Sequence, residues 1–423
     1  MRPPGRGRRL NLPPEIAAPR SQATAALLAL PIAHQDAAQD DPPPGWLARL
    51  ADRLRHWRDQ RIADPAFRHW AARFPLTRPI ARRRAKALFD LVAGFSYSQV
   101  LLACVQLQLF DRLARQPASA EALAAPLGLP LDGCRRLLDA AVALRLLARR
   151  QRGSALPIYT LGPLGTPMVE NAALAAMVLH HSLLYADLTD PLALLRAPPG
   201  QAALARYWAY AGSAQPQALR NTEVADYSVL MAASQPLVAD EILDAYPLGR
   251  HRCLLDVGGG EGVFISAAAR RWPHLRGIVF DLPEVAHRAQ GRLAAAGLSQ
   301  RVSTVGGDFR QGSLPRGADI ISLVRVVHDH DDAQVMTLLR AARAALPAHG
   351  VLLLAEPMAG TAGAEAMGDA YFGMYLWAMG SGRPRRVAEL GDMLHAAGFA
   401  RPRLLRNATP LQTQVLVAAV RSA

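Results

Sequence analysis

From Arg252 to the C-terminus, short apolar runs alternate with helical patterns, and this alternation constrains the chain more than any other feature. RCLLDV, RGIVFD, RVSTVGGDF, ADIISLVRVVHD and GVLLLAEPM read as strands, with helices over Val263–Arg271, Val285–Ala296, Ala333–Leu346 and Val387–Ala397. Strands this apolar must be covered on both faces, and helices placed between them supply that cover. The pattern predicts an α/β fold, a doubly wound Rossmann-like sheet whose ligand lies beyond the carboxyl ends of the strands. ARPRLLRNA and TQVLVAAVRS then read as a terminal hairpin.

The first strand runs into Asp256-Val-Gly258-Gly259-Gly260-Glu261-Gly262 and a helix follows. Glycines there allow positive φ and a close approach of ligand to backbone. A dinucleotide fingerprint needs G-x-G-x-x-G, but Val263 or Ile265 stands where its last glycine belongs, and no G-K-[ST] phosphate loop is present. Asp256 and Glu261 oppose phosphate and favour a cationic ligand. The second strand ends in Asp281, followed by Leu282, where a carboxylate can accept both hydroxyls of a ribose. The third ends at Asp308, suited to an adenine amino group, and Phe309, suited to pack on the base. Acids in this order on successive strand ends suit S-adenosylmethionine as cofactor, bound by Asp256, Gly258, Gly259, Gly260, Gly262, Asp281, Leu282, Asp308 and Phe309.

The chain has 423 residues, enough for two or three domains, and 51% are hydrophobic. Of the net charge of +14, residues 1–90 carry +9, from 17 Lys+Arg against 8 Asp+Glu. Lys86 is the only lysine. This Pro-rich, basic extension is expected to be partly disordered, with short helices from Trp46. No signal peptide is read. Three well-separated cysteines suggest neither disulfides nor a metal site, in keeping with a cytoplasmic protein. The uncharged segment Leu91–Phe110 is expected as one helix buried at an interface rather than a membrane span, since it carries Ser, Tyr and three Gln.

Residues 91–170 read as a helical unit with a wing. Ser119 opens a short helix that ends at Gly128, another runs from Asp132 to Leu147, and SALPIYTLGPLG forms the strand pair. A DNA reader needs polar side chains along its recognition helix, whereas here Arg135, Arg136 and Arg145 stand alone among apolar residues. The winged helix is therefore expected to pack or dimerise, with no nucleic-acid partner. Residues 171–248 are helical and border the substrate pocket, and Tyr227 and Met231, spaced i, i+4, share a face. Residues 249–423 form the cofactor domain.

LLDVGGGEG, FDLPEV, GGDF, LVRVVHDHDD and LLLAEPM together resemble the S-adenosylmethionine-dependent small-molecule O-methyltransferases of the plant caffeate and bacterial natural-product type. The resemblance runs from about Ser96 to the C-terminus and implies a homodimer built by the winged-helix region. LFDLVAGFSYSQVLLACVQLQLFDRL and YFGMYLWAMGSGRPRR look most like the bacterial carotenoid O-methyltransferases of the demethylspheroidene and hydroxyneurosporene type, which methylate the tertiary 1-hydroxyl of acyclic carotenoids.

By that resemblance His328 is the general base, Asp329 its neighbour, and Glu356 the carboxylate that orients the imidazole. Arg325 replaces a family lysine near the cofactor, a change of geometry at constant charge. Val387 falls where many phenol methylators carry a second carboxylate. Met374, Trp377 and Met379, with Tyr375 among them, are expected to wall the pocket of a lipophilic acceptor. A carotenoid acceptor dissolved in lipid gives the basic arm and the Leu91–Phe110 helix a reason to touch the inner, photosynthetic membrane peripherally. The alternatives are a phenolic or polyketide acceptor, or a ligand-sensing regulator on an inactive methyltransferase fold.

Overall fold

The computed structural model describes residues 46–151, 155–213, 215–409 and 413–421. The Pro-rich segment 1–45 lies outside them. The chain divides into two compact units, Met1–Val92 and Ala93–Ala423.

The described part of the first unit, from Trp46, is helical. Trp46–Ala63 is followed by Pro65–Arg73, and a third helix, Arg78–Gln106, begins in this unit and continues into the second. Asp64 ends the first helix and caps the next, its carboxylate accepting the Ala66 N–H at 2.8 Å, with proline at the first helical position. The Thr77 hydroxyl donates to the Ala71 carbonyl at 2.7 Å and closes the following turn.

The segment expected as one helix over Leu91–Phe110 is instead the end of Arg78–Gln106, and a separate helix covers Leu109–Arg115. The break is at Gln108, whose φ of 52° lies in the left-handed region. Arg78–Gln106 is long and apolar enough to cross a membrane by length and composition, and 11% of its most apolar window is buried.

In the second unit, helices Ala120–Ala124 and Leu131–Ala143 precede β1 (Leu147–Arg150) and β2 (Ile158–Leu161), an antiparallel wing. Leu109, Leu138 and Cys104 are fully buried at the centre of this small core. The wing begins earlier than the sequence suggests. The helix stops at Ala143, and Arg145, at φ 61°, turns Leu147–Arg150 into the first strand. Pro130 rather than Asp132 occupies the cap position.

Helices from Ala172 to Ala245 lead to a seven-stranded sheet. Its strands are β3 (Cys253–Val257), β4 (Arg276–Asp281), β5 (Val302–Gly306), β6 (Ile320–Val324), β7 (Val351–Glu356), β8 (Arg403–Leu405) and β9 (Gln414–Ala419). The order is β5-β4-β3-β6-β7-β9-β8, parallel through β7, with β9 antiparallel to both β7 and β8. One core packs helices Asp332–Ala345 and Val387–Ala396 on one face. The other packs Pro236–Ala245, Val263–Arg271 and Pro283–Ala295. Strand order reverses between β3 and β6, so a crevice opens past their carboxyl ends.

One buried cation ties the loop after β6 in place. Arg385 is 2% exposed. Its guanidinium donates to the carbonyls of Val327 (2.9 Å) and His330 (2.7 Å) and pairs with Asp332 at 2.7 Å. Replacing it with methionine leaves the His330 carbonyl without a donor, at about 1–3 kcal/mol for such a group, and leaves the Val327 carbonyl only the His330 N–H at 3.4 Å, while Asp332 loses its ion pair. Urea unfolding of Arg385→Met is expected to show stability lowered by about 2–4 kcal/mol, while an exposed control, Arg401→Met, stays near wild type.

Candidate active site

The loop after β3 sits at the switch point. Gly258, Gly260 and Gly262 all have positive φ (66°, 57° and 76°). A Cβ on Gly258 would stand 2.6 Å from the Val326 side chain, whereas at Gly260 the same position opens on empty space. The chain therefore turns tightly against the loop after β6 and leaves its outer side free for a ligand. Gly258, Gly259, Gly260 and Glu261 line a cavity of about 950 Å³, counting its mouth.

Two residues assigned to the cofactor do not reach that cavity. Gly262 caps helix Val263–Arg271. Asp256 is buried beneath the loop, accepting the Ser322 hydroxyl at 2.6 Å, and burial pushes its pKa up to about 7. A strand residue whose side chain points into the sheet layer cannot also point beyond the strand end. Asp256 supports the turn from below, 2.8 Å from where a Gly259 Cβ would stand. Glu261 does line the cavity, but Arg288 and Arg292 pair with it at 2.6 and 3.0 Å and offset the charge read from the sequence.

Asp281, Leu282, Asp308, Phe309 and Arg325 all line the cavity, as do Tyr227 and Met231. Asp281 accepts the N–H groups of Gly260 (2.8 Å) and Leu282 (2.7 Å), which fix its carboxylate while leaving lone pairs for a diol. Burial raises its pKa to about 6, against those two bonds. Asp308 pairs with Arg310 Nε at 3.1 Å, so its charge is already shared. Phe309 meets the His330 ring edge-on at 4.9 Å.

Three buried polar atoms on this wall, Tyr227 Oη, Ser228 Oγ and Arg310 Nη2, have no hydrogen-bond partner among the described residues. With the open side of Gly260 and the fixed Asp281 carboxylate, they fit a polar, ribose-bearing molecule. Burying polar groups without partners is costly, so such a wall suits a site that a ligand completes.

Arg325, His328, Asp329 and His330 follow β6. Glu356, at the end of β7, accepts the N–H groups of Val326 (3.0 Å) and Val327 (2.7 Å) through one oxygen. It holds His328 Nδ1 with the other. That contact places a proton on Nδ1 and leaves Nε2 to take one. Asp329 Oδ1 lies 3.2 Å from His328 Nε2, so the second carboxylate near the imidazole comes from the adjacent residue. Burial disfavours the imidazolium, but Asp329 and Glu356 outweigh it and hold the His328 pKa above the ordinary 6.5. The Tyr210 hydroxyl donates to Asp329 Oδ2 at 2.8 Å.

His328 borders a second cavity of about 510 Å³, and Trp208, Met231, Arg325 and Asp329 border both. Its far walls carry paired polar groups. Trp208 Nε1 donates to Tyr375 Oη at 2.8 Å, so the tyrosine's own proton faces His180 Nε2 at 2.6 Å. His181 Nε2 meets Tyr371 Oη at 2.7 Å. Burial, with the neighbouring His181, lowers the His180 pKa to about 4, so this ring is neutral. Arg325, with φ 59°, donates to Ser234 Oγ at 2.9 Å and reaches Met231 Sδ at 3.4 Å.

The expected wall of Met374, Trp377 and Met379 is corrected. Met379 lies in the core, Trp377 is 43% exposed with its indole donating to the Leu194 carbonyl, and Met374 lines neither cavity. Tyr375, expected among them, does face the second cavity, and Tyr371 and Phe372 stand beside it. Positions i, i+1 and i+4 share a helical face, and the stripe at 374 and 377 lies on another. Tyr210, Trp208, His180 and His181 were also missed as site residues. The adjacent histidines in an apolar helix were the one sequence sign available for them.

Residues 89–171 match the O-methyltransferase dimerisation domain and residues 194–400 the O-methyltransferase domain. The chain belongs to the S-adenosylmethionine-dependent O-methyltransferases and carries that family's dimerisation domain, which supports a homodimer. It is 41% identical over 376 residues to the demethylspheroidene O-methyltransferase of Cereibacter sphaeroides, covering 88% of this chain and 95% of that one. The Rhodobacter capsulatus protein of the same name is 40% identical over 347 residues, covering 82% and 85%. Human N-acetylserotonin methyltransferase, solved with S-adenosylmethionine, shares the fold with a TM-score of 0.66 at 23% identity, covering 80% of this chain and 98% of that one.

The raised Asp281 pKa has a consequence for binding. A diol favours the carboxylate over the carboxylic acid, so cofactor affinity should rise with pH up to and through about 6. Calorimetry with S-adenosylhomocysteine is expected to show this dependence. Asp281→Asn should bind about 10- to 100-fold more weakly at pH 7.5, the worth of hydrogen bonds to a charged group, and should flatten that dependence.

Proposed function

We propose that this protein methylates the tertiary 1-hydroxyl of an acyclic carotenoid of the demethylspheroidene or hydroxyneurosporene kind, with His328 as general base. In this reading Asp281, Leu282, Asp308, Phe309, Arg325 and the glycine loop hold the cofactor. Residues 91–170 serve dimerisation, residues 171–248 border the acceptor, and residues 249–423 carry the cofactor site. Bound there, S-adenosylmethionine supplies a methyl group activated by its sulfonium.

The observation that carries the proposal is the meeting of the two cavities beside His328. In this reading an acceptor hydroxyl in the second cavity, which His328 borders, is offered to Nε2 beside the walls that this cavity shares with the first. Glu356 holds the ring and stabilises the imidazolium as the proton arrives. Asp329, fixed by Tyr210, lies on the Nε2 side and favours the same charge. A raised base pKa suits an alcohol far less acidic than a phenol. Positioning the oxygen in line supplies the larger share of the acceleration.

The acceptor cavity supports the substrate class. Its histidine, tyrosine and tryptophan polar atoms are bonded to one another, so ring faces and edges remain for a hydrocarbon. Only Arg325, His328 and Asp329 offer charge at the reacting end. The relatives named for demethylspheroidene point to the same acceptor. Since a carotenoid is dissolved in lipid, the enzyme is placed in the cytoplasm with peripheral contact at the membrane that holds its substrate.

The test is transfer of labelled methyl from S-adenosylmethionine to 1-hydroxy acyclic carotenoids in micelles, beside a panel of catechols and phenolic polyketides. Carotenoid labelling is expected, with kcat/KM rising through a pKa above 6.5 as His328 loses its proton. His328→Ala should lose about 10²–10⁴-fold in rate. Glu356→Gln should move the acid limb to lower pH as well as slow turnover. Labelling confined to phenols would overturn the carotenoid assignment, and transfer undiminished in His328→Ala would overturn the base.

A further inference from the structure

Residues 46–88 lie outside both matched domains, yet they are the most unusual surface of the chain. Among the described residues, 10 of the 24 exposed large apolar side chains fall in these 43 positions. The same stretch holds 12 Lys+Arg against three acids, Asp52, Asp59 and Asp64. Those acids are engaged locally, Asp52 with Arg55, Asp59 with Arg58, and Asp64 as a helix cap. The positive charge is therefore not offset within the segment. Arg82, Arg83 and Arg84 have no carboxylate within 4.0 Å among the described residues.

The helix Trp46–Ala63 orders these groups. Trp46, Leu47, Leu50, Leu54 and Trp57 fall within one arc of the helical wheel, and all are 47–69% exposed. Arg49, Arg53 and Arg58 flank that arc, and Arg61 lies over the Trp57 ring at 5.7 Å. Tryptophan and leucine on one face, bordered by arginine, are the composition of a helix lying in a lipid–water interface. Seven charges in 18 residues exclude this helix from crossing a bilayer.

We infer that residues 46–88 dock this enzyme on an anionic lipid bilayer, with helix Trp46–Ala63 in the plane of the interface and the Arg82–Arg84 cluster on the lipid headgroups. The proposal deepens the peripheral contact in the reading above and rests on it for its purpose, but its physical basis is this surface alone. Charge selects the occupant. A second copy of this chain would bring the same surplus of cations against itself, whereas a bilayer containing phosphatidylglycerol is complementary to it. A nucleic acid would satisfy the charge but not a row of exposed Trp and Leu side chains. Each basic residue held near an anionic surface is worth roughly a fivefold gain in binding. Reversing three of them removes about 100-fold or more.

The experiment is flotation of the full-length protein with vesicles of phosphatidylglycerol and phosphatidylcholine, against vesicles of phosphatidylcholine alone, without any acceptor. Binding to the anionic vesicles is expected to exceed binding to the neutral ones at least tenfold and to be released by about 0.5 M salt, where surface charges are screened. Arg82→Glu/Arg83→Glu/Arg84→Glu and Leu50→Asp/Leu54→Asp should each abolish flotation, while both variants remain dimeric by light scattering and methylate a micelle-delivered acceptor at the wild-type rate. Absence of flotation, or equal flotation with both vesicle types, overturns the proposal. So does binding that resists alkaline carbonate, which would mean a spanning helix, a change of oligomeric state in Leu50→Asp/Leu54→Asp, which would mean a self-association face, or retention of RNA without vesicles. Because no acceptor is present, failure here leaves the methyl-transfer chemistry standing, and failure of the carotenoid assay leaves lipid binding to be read on its own.

Discussion

The carboxylate of Glu356 is the interaction on which the site depends. One oxygen takes two consecutive backbone N–H groups, and the other takes the imidazole they lead to. An acceptor oxygen held at Nδ1 fixes the histidine tautomer. Arg385 secures the same loop from the opposite side through the carbonyls of Val327 and His330. Donors and acceptors of one short turn are thus clamped separately, one set by an acid from β7 and the other by a base from the segment before the last helix. Gly382 completes the fit, since a Cβ there would stand 2.1 Å from the His328 carbonyl.

The sheet was legible because its determinants are local. Val263–Arg271 and Arg276–Asp281 are bounded in the structure where the pattern places them, and a glycine run after a strand has few conformational uses. The acids at the strand ends were readable for the same reason, since a strand end faces the crevice whatever else the chain does. Asp256 is the instructive exception. The glycines that follow it from Gly258 line the cavity, but its own side chain points into the sheet layer and meets Ser322 instead.

What the sequence concealed is set by helix phase and by distant partners. In YFGMYLWAM, six of nine residues are aromatic or sulfur-bearing, so composition alone does not say which face is inward. The structure turns Tyr371, Phe372 and Tyr375 to the cavity and leaves Trp377 outside. Tyr210, His180 and Arg385 act on residues 119, 195 and 58 positions away. No motif of adjacent letters encodes pairings at that range.

Trp208, Met231, Arg325 and Asp329 are walls held in common by the two cavities. A molecule that shifts one of these side chains in either space reshapes the other, and to that extent the two binding equilibria share free energy. Linkage makes that sharing reciprocal: whatever the first ligand does to the affinity of the second, the second does in equal measure to the first. The departure of a methylated product and the exchange of spent cofactor are then coupled events. Arg325, held at positive φ with contacts to Ser234 and Met231, is one of the walls on which that sharing rests.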